Sequence, residues 1–178
     1  RVVVNTHYHA DQIAAHLRGS GAVISDEQPQ ILETGGGLRH ALPLLGDVPV
    51  FTSNTDAVWQ GANPFEMLRT AWRPDEMDAL LLCIPQENAV GHSGKGDFLL
   101  DEAGRLSRGP GVIYSGVQIV KTDGLQAIDQ QAFSLNLLWN QMQAKGRLFG
   151  LCYDGRWCDV GSPTGITLAE DMLESRDV

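Results

Sequence analysis

Cysteine is scarce in this chain. Cys83, Cys152 and Cys158 are its three thiols, an odd number with no CxxC spacing. That usage excludes a disulfide-stapled secreted scaffold and fits a reducing compartment, so a cytoplasmic location is expected. Long apolar runs are also missing. The longest, around Ala79 to Pro85, falls far short of the ~20 residues that a membrane-spanning helix needs. The opening RVVVNTHYHADQ has no apolar core of the signal-peptide kind. Positive charge is in short supply, with 13 Lys and Arg against 22 Asp and Glu and a net charge of −9. Tracking a nucleic acid takes a basic stripe, so neither a nucleic-acid nor a membrane partner is expected. The acidity does not exclude a single nucleotide, which needs only a few local donors and a metal ion. Repeats, low-complexity tracts and linkers are absent. With 43% apolar and 20% charged residues, the 178-residue chain can bury a proper core as one domain.

The elements that are present alternate. Val2 to Asn5 reads as a buried strand, about Ala10 to Leu17 as a helix, and Ala22 to Ser25 as a second strand. Phe65 to Ala71 is helical, and Ala79 to Ile84 is a continuous apolar run that suits a strand buried on both faces. Asp97 to Ser107 reads as a hairpin around Glu102-Ala103-Gly104, and Val112 to Val120 as a strand interrupted by Gly116. Leu135 to Ala144 has one apolar stripe of helical spacing. Two short strands follow, from Leu148 and Arg156, and then a helix with Ser162 as N-cap and Pro163 at its first position. Ala57 to Asn63 reads as a loop. The predicted fold is a Rossmann-like α/β domain with a mixed, mostly parallel sheet and flanking helices.

The chain is organised around Ile31 to Asp56. This stretch reads as a short edge strand, a glycine turn over Glu33, Thr34, Gly35, Gly36 and Gly37, a helix from about Leu38 to Leu45 stopped by Gly46 and Asp47, and a buried strand from Val48 to Ser53. Asp56 follows that strand. Consecutive glycines permit close approach of a ligand to the backbone, and a helix N-terminus offers N–H groups to an anion. In open α/β sheets ligands bind at the C-terminal ends of strands. A glycine turn, a helix start and a carboxylate are therefore expected at one crevice.

ETGGGLRHALPLLG followed by a strand and an Asp resembles the sugar-1-phosphate nucleotidyltransferases, in particular the N-acetylmuramate-1-phosphate uridylyltransferase and mannose-1-phosphate guanylyltransferase-like branch. The family's Asn-Gly-Asp stands here as Asn54-Thr55-Asp56, with the Asp kept. The resemblance continues in Gly94-Lys95-Gly96-Asp97-Phe98, in Tyr114-Ser115-Gly116-Val117 and in Trp157-Cys158-Asp159-Val160-Gly161-Ser162. It implies transfer of a nucleoside monophosphate from a nucleoside triphosphate to a sugar 1-phosphate with release of pyrophosphate. UTP with N-acetylmuramate 1-phosphate, in cell-wall recycling, is the first choice. It also implies that Asp56 and Asp159 hold a catalytic Mg²⁺, which takes hard oxygen ligands and often only one or two carboxylates. The stretch Glu33 to Gly37 would meet the nucleoside, and Asn54, Gly96 and Gly116 the sugar. Arg39 and Lys95 could meet phosphate or be solvated surface charge. The family's Gly-x-Gly-x-Arg loop and Pro-Lys-Pro stretch do not occur in the 178 residues. An N-terminally truncated domain, lacking its first strand and weakly active or inactive as written, is therefore expected.

Two alternatives stay open. One is a non-catalytic nucleotide-sugar binding remnant. The other is a zinc hydrolase, because Thr6-His7-Tyr8-His9-Ala10-Asp11-Gln12 resembles the His-x-His-x-Asp-His signature of the metallo-β-lactamase superfamily. Gln12 stands where that family has a His, and an amide replaces an imidazole ligand poorly. The sequence is silent on oligomeric state.

Overall fold

The computed structural model describes residues 1–46 and 49–175. Asp47 and Val48, expected to stop a helix and to open a strand, lie outside the described residues. The chain divides into two compact units, residues 1–50 with 121–141, and residues 51–120 with 142–178.

In the first unit β1 (Val3–Thr6) and β2 (Val23–Asp26) pair in parallel, Val3 opposite Val23 and Thr6 opposite Asp26. Between them runs the crossover helix α1 (Ala10–His16). The long helix α2 packs on both strands and spans Glu33–Leu45, so the expected glycine turn is helix, and Ile31 and Leu32 form an irregular lead-in where an edge strand was expected. Its start is fixed from outside. Glu27 Oε2 accepts the Leu32 N–H at 2.9 Å, and the Phe133 carbonyl accepts from the N–H groups of Gly35 at 2.8 Å and Gly36 at 3.1 Å. A helix leaves its first N–H groups without internal partners, and here the chain itself supplies the acceptors.

The connection that precedes α4 (Asn136–Ala144) is held against α2 by Arg39. Its guanidinium donates to the carbonyls of Leu125 at 3.4 Å and Gln131 at 3.2 Å, and also to those of Ile128 and Gln130. The same group lies over the Phe133 ring, 4.8 Å from its centroid. Arg39 is a structural clamp.

In the second unit, which takes up β3 (Val50–Ser53) from Phe51 on, β3, β5 (Ala79–Ile84), β9 (Ile113–Val120) and β10 (Leu148–Cys152) form a sheet in the order β10-β5-β9-β3. All six residues of β5 are buried, as its unbroken apolar run predicts. It pairs in parallel with β10 and antiparallel with β9, with a register shift between Leu81 and Cys83. A second sheet has the order β4-β11-β6, from β4 (Ala57–Gln60), β11 (Arg156–Asp159) and β6 (Ala89–Val90). The expected loop at Ala57 is thus a strand. Its alternation is hidden because every residue of β4 is only half-buried. β7 (Phe98–Leu100) and β8 (Leu106–Arg108) make the expected hairpin.

Leu80, Leu82 and Ile84 of β5, Val117 and Ile119 of β9, Leu68 of α3 (Pro64–Ala71), Phe149, Tyr153 and Trp157 form the core. A smaller cluster of Cys158, Ala169 and Met172 seats α5 (Pro163–Glu174) on β11. Both helices begin as their sequences predict. Asn63 caps α3 by accepting from Phe65 and Glu66, and Ser162 caps α5 by accepting from Gly165 at 3.1 Å. Among the described residues, no helix is long and apolar enough to cross a membrane.

Candidate active site

The register of the small sheet brings two carboxylates to one end of one ladder. Asp159, the last residue of β11, lies opposite Ala57, the first residue of β4. Asp56 is one step further, and its carbonyl accepts the Val160 N–H at 2.8 Å. Beyond the ladder the backbone turns, and Asp159 Oδ1 accepts the Gly161 N–H at 2.7 Å. A Cβ placed on Gly161 would lie 3.0 Å from Asp159 Oδ1 and 3.3 Å from Asp56 Oδ2. Both carboxylate oxygens therefore face one spot that only a glycine leaves open.

These groups line a cavity of about 550 Å³. One wall is the start of α5, with Ser162 and Thr164, and another is the loop of residues 91–94. Val90 and Leu168 give it an apolar patch. Sequence reasoning found the carboxylates, the Ser162 cap and the stretch that opens at Gly94, but missed His92, Ser93 and Thr164. The Gly-His-Ser-Gly composition of that loop was the available signal. Its place beside α5 follows from the two-residue strand β6, too short to show a period.

The expected sugar-contacting residues fall in two places. Asn54 and Gly116 are together: the Asn54 N–H donates to the Gly116 carbonyl at 3.0 Å, and a Cβ on Gly116 would lie 2.8 Å from the Asn54 Cβ. Gly116 has φ 89°, a left-handed conformation that favours glycine, inside a strand. Gly96, with φ 84°, instead meets the Gly111 carbonyl, 2.2 Å from where its Cβ would be. Crossing backbone accounts for that glycine.

Glu33, Thr34, Gly35, Gly36 and Gly37 belong to the first unit and Asp56 and Asp159 to the second. The glycines of α2 are explained by close packing. A Cβ on Gly35 would fall 2.4 Å from the Phe133 ring, one on Gly36 2.5 Å from the Gln131 carbonyl, and one on Gly37 2.5 Å from Glu27 Oε1. Thr34 Oγ1 accepts the Leu135 N–H at 3.0 Å. The expectation of free N–H groups at Gly35 and Gly36 is corrected, since Phe133 takes both. Glu33 and Thr34 are exposed.

In the zinc-like motif, His9 caps α1 in a left-handed conformation and its Nδ1 lies 3.5 Å from Gln12 Nε2. Among the described residues, no three His, Cys, Asp or Glu side chains are grouped to hold a metal ion. The buried thiols are poor nucleophiles. Burial pushes Cys83 well above the usual thiol range, and burial together with the Asp159 charge pushes Cys158 up.

No family model matches the chain. Curated relatives do, two of which follow. The N-acetylmuramate α-1-phosphate uridylyltransferase of Caulobacter vibrioides is 37% identical over 188 residues, an alignment covering 96% of this chain and 76% of that protein. The protein of the same name from Neisseria meningitidis serogroup B is 30% identical, with 90% of this chain and 73% of that protein covered. Among solved structures, HddC from Yersinia pseudotuberculosis complexed with GMP-PN superposes with a TM-score of 0.74 at 17% identity, covering 96% of this chain and 78% of that one. That likeness shows the fold, and the curated relatives show the family. The hydrolase alternative falls with them, and the chain belongs to the N-acetylmuramate α-1-phosphate uridylyltransferase family of sugar-phosphate nucleotidyltransferases.

Proposed function

We propose that the protein transfers UMP from UTP to N-acetylmuramate 1-phosphate and releases pyrophosphate. An oxygen of the sugar phosphate forms the new bond to the α-phosphorus of UTP. The bond from that phosphorus to the bridging oxygen breaks, and the electron pair leaves with pyrophosphate. No side-chain nucleophile is required, which agrees with the suppressed thiols. Positioning and neutralisation of phosphate charge carry such a reaction.

The observation that carries the reading is the convergence of Asp56 Oδ2 and Asp159 Oδ1 on the space beside Gly161. Two hard carboxylate donors with room before them and no soft ligand fit Mg²⁺, which keeps several waters and is completed by substrate phosphates. Asp56 and Asp159 would hold it, and when bound it would supply the positive charge that two carboxylates facing two phosphates lack. Gly161 fixes the Asp159 carboxylate through its N–H, so one oxygen is oriented before any ligand arrives. Asn54, packed over Gly116, would meet a sugar or ribose hydroxyl.

The test is pyrophosphate release from UTP with N-acetylmuramate 1-phosphate and Mg²⁺. Asp56→Asn and Asp159→Asn are each expected to lower turnover about 100-fold or more, as loss of a group that stabilises transition-state charge does. EDTA should abolish it. Turnover that survives both substitutions would overturn the assignment of the carboxylates. Absence of turnover with every sugar 1-phosphate tried, in a protein that also carries the Gly-x-Gly-x-Arg loop, would overturn the reaction.

A further inference from the structure

The cavity wall holds one group that the reaction above does not use. His92 lies on the loop of residues 91–94, which is folded back on α5: a Cβ on Gly91, at φ 75°, would lie 2.6 Å from Leu168 Cδ1. The imidazole lies directly over the backbone of Gly94. A Cβ there would meet His92 Nε2 at 2.5 Å and Cε1 at 3.0 Å. Gly94 has no left-handed conformation to explain it, so the space that its missing side chain leaves is occupied by the ring.

The chemistry of the wall makes that ring matter. Among the described residues that line the cavity, none is Lys or Arg, while two are carboxylates. N-acetylmuramate 1-phosphate is doubly anionic in kind. Besides the phosphate, it carries a lactyl ether with its own carboxylate and a methyl group. A carboxylate entering a wall that already bears Asp56 and Asp159 needs a donor to meet it. The other side-chain donors of the wall are the hydroxyls of Ser93, Thr164 and Ser162, the last of which also accepts the Gly165 N–H. Of the side chains in the wall, the His92 imidazole is the nitrogen donor, and Val90 and Leu168 offer apolar surface for the lactyl methyl.

We infer that His92 reads the lactyl carboxylate of the sugar substrate, and that Gly94 is the positioning residue that keeps the imidazole in place. The inference rests on the nucleotidyltransferase reading and deepens it to a basis for choosing muramate over other amino sugars.

The experiment compares kcat/KM for N-acetylmuramate 1-phosphate and N-acetylglucosamine 1-phosphate, which lacks the lactyl ether, in wild type, His92→Ala, His92→Gln and Gly94→Ala. Wild type should prefer the muramate. His92→Ala should lower that preference about 10- to 100-fold, the usual worth of one hydrogen bond to a charged group, and mainly through KM. Gly94→Ala should act in the same direction, since the added Cβ displaces only a side chain. His92→Gln, which keeps a donor, should recover part of the preference. An unchanged preference in His92→Ala, or a wild type with none, overturns the inference while leaving the reaction standing. A wild type that carries the Gly-x-Gly-x-Arg loop and is inactive on both sugar phosphates overturns the nucleotidyltransferase reading and this inference with it.

Discussion

Gly161→Ala separates function from stability at the proposed metal site. The added Cβ would enter at 3.0 Å from Asp159 Oδ1 and 3.3 Å from Asp56 Oδ2. The backbone there is not left-handed, so alanine adds no backbone strain. Replacing glycine at a compatible position stabilises by about 0.4–1 kcal/mol through the unfolded chain. The tight contact with an exposed carboxylate costs a similar amount, so net stability should move by no more than ~1 kcal/mol. For a chain of this size that is a melting shift of about 2–4 °C. Function should respond differently. The methyl group pushes both oxygens away from the point they share, and a displacement of about 1 Å at a reacting centre costs on the order of 10²-fold. That corresponds to about 2.7 kcal/mol of lost transition-state stabilisation. The assays are thermal melting, pyrophosphate release, and Mn²⁺ binding followed by electron paramagnetic resonance. A variant that melts like wild type, binds Mn²⁺ weakly and turns over about 100-fold slower fits the reasoning. Activity within twofold of wild type would refute it, because the carboxylates would then not act at one point. A melting temperature lower by more than about 8 °C would also refute it, by making the glycine a structural requirement.

Other outcomes follow from the packing and the thiols. Arg39→Lys keeps the charge but cannot spread donors over four carbonyls, and should cost about 2 kcal/mol, read as a lower denaturation midpoint in urea. Gly36→Ala drives a Cβ to 2.5 Å from the Gln131 carbonyl and should destabilise by about 1–3 kcal/mol in the same assay. Iodoacetamide should modify the exposed Cys152 first and leave buried Cys83 untouched in the native protein. Burial and the Glu87 charge hold the Cys152 thiol above its ordinary range, so labelling should keep accelerating with pH beyond the range where a free cysteine levels off. Mass spectrometry of the labelled peptides over a pH series checks both statements.

Much of the fold is legible in the sequence because its strongest signals are local. The unbroken run Ala79–Ile84 has one reading, and Ser162-Pro163 announces α5 without reference to anything distant. The misread places depend on residues far away in the chain. Triple glycine at Gly35 to Gly37 suggests a turn, but Phe133 and Gln131, nearly a hundred residues later, make a glycine-faced helix the better solution. β4 looks like a loop because its pattern depends on pairing with β11 across a hundred residues. The site shows the same division. Asp56 and Asp159 are visible by resemblance, whereas Gly161 gains meaning only from the register that sets it between them. His92 stayed invisible because nothing local ties it to α5.

The Arg39 clamp also sets what the segment around Leu125 to Gln131 can become. All four of its acceptors are main-chain carbonyls. The guanidinium thus recognises the path of the chain and is blind to the side chains along it. At the exposed Gln130 and Gln131, sequence can drift freely as long as the spacing of carbonyls is kept. A single inserted or deleted residue would shift the acceptors out of step. The segment is therefore open to substitution and closed to changes of length, the reverse of an ordinary surface loop.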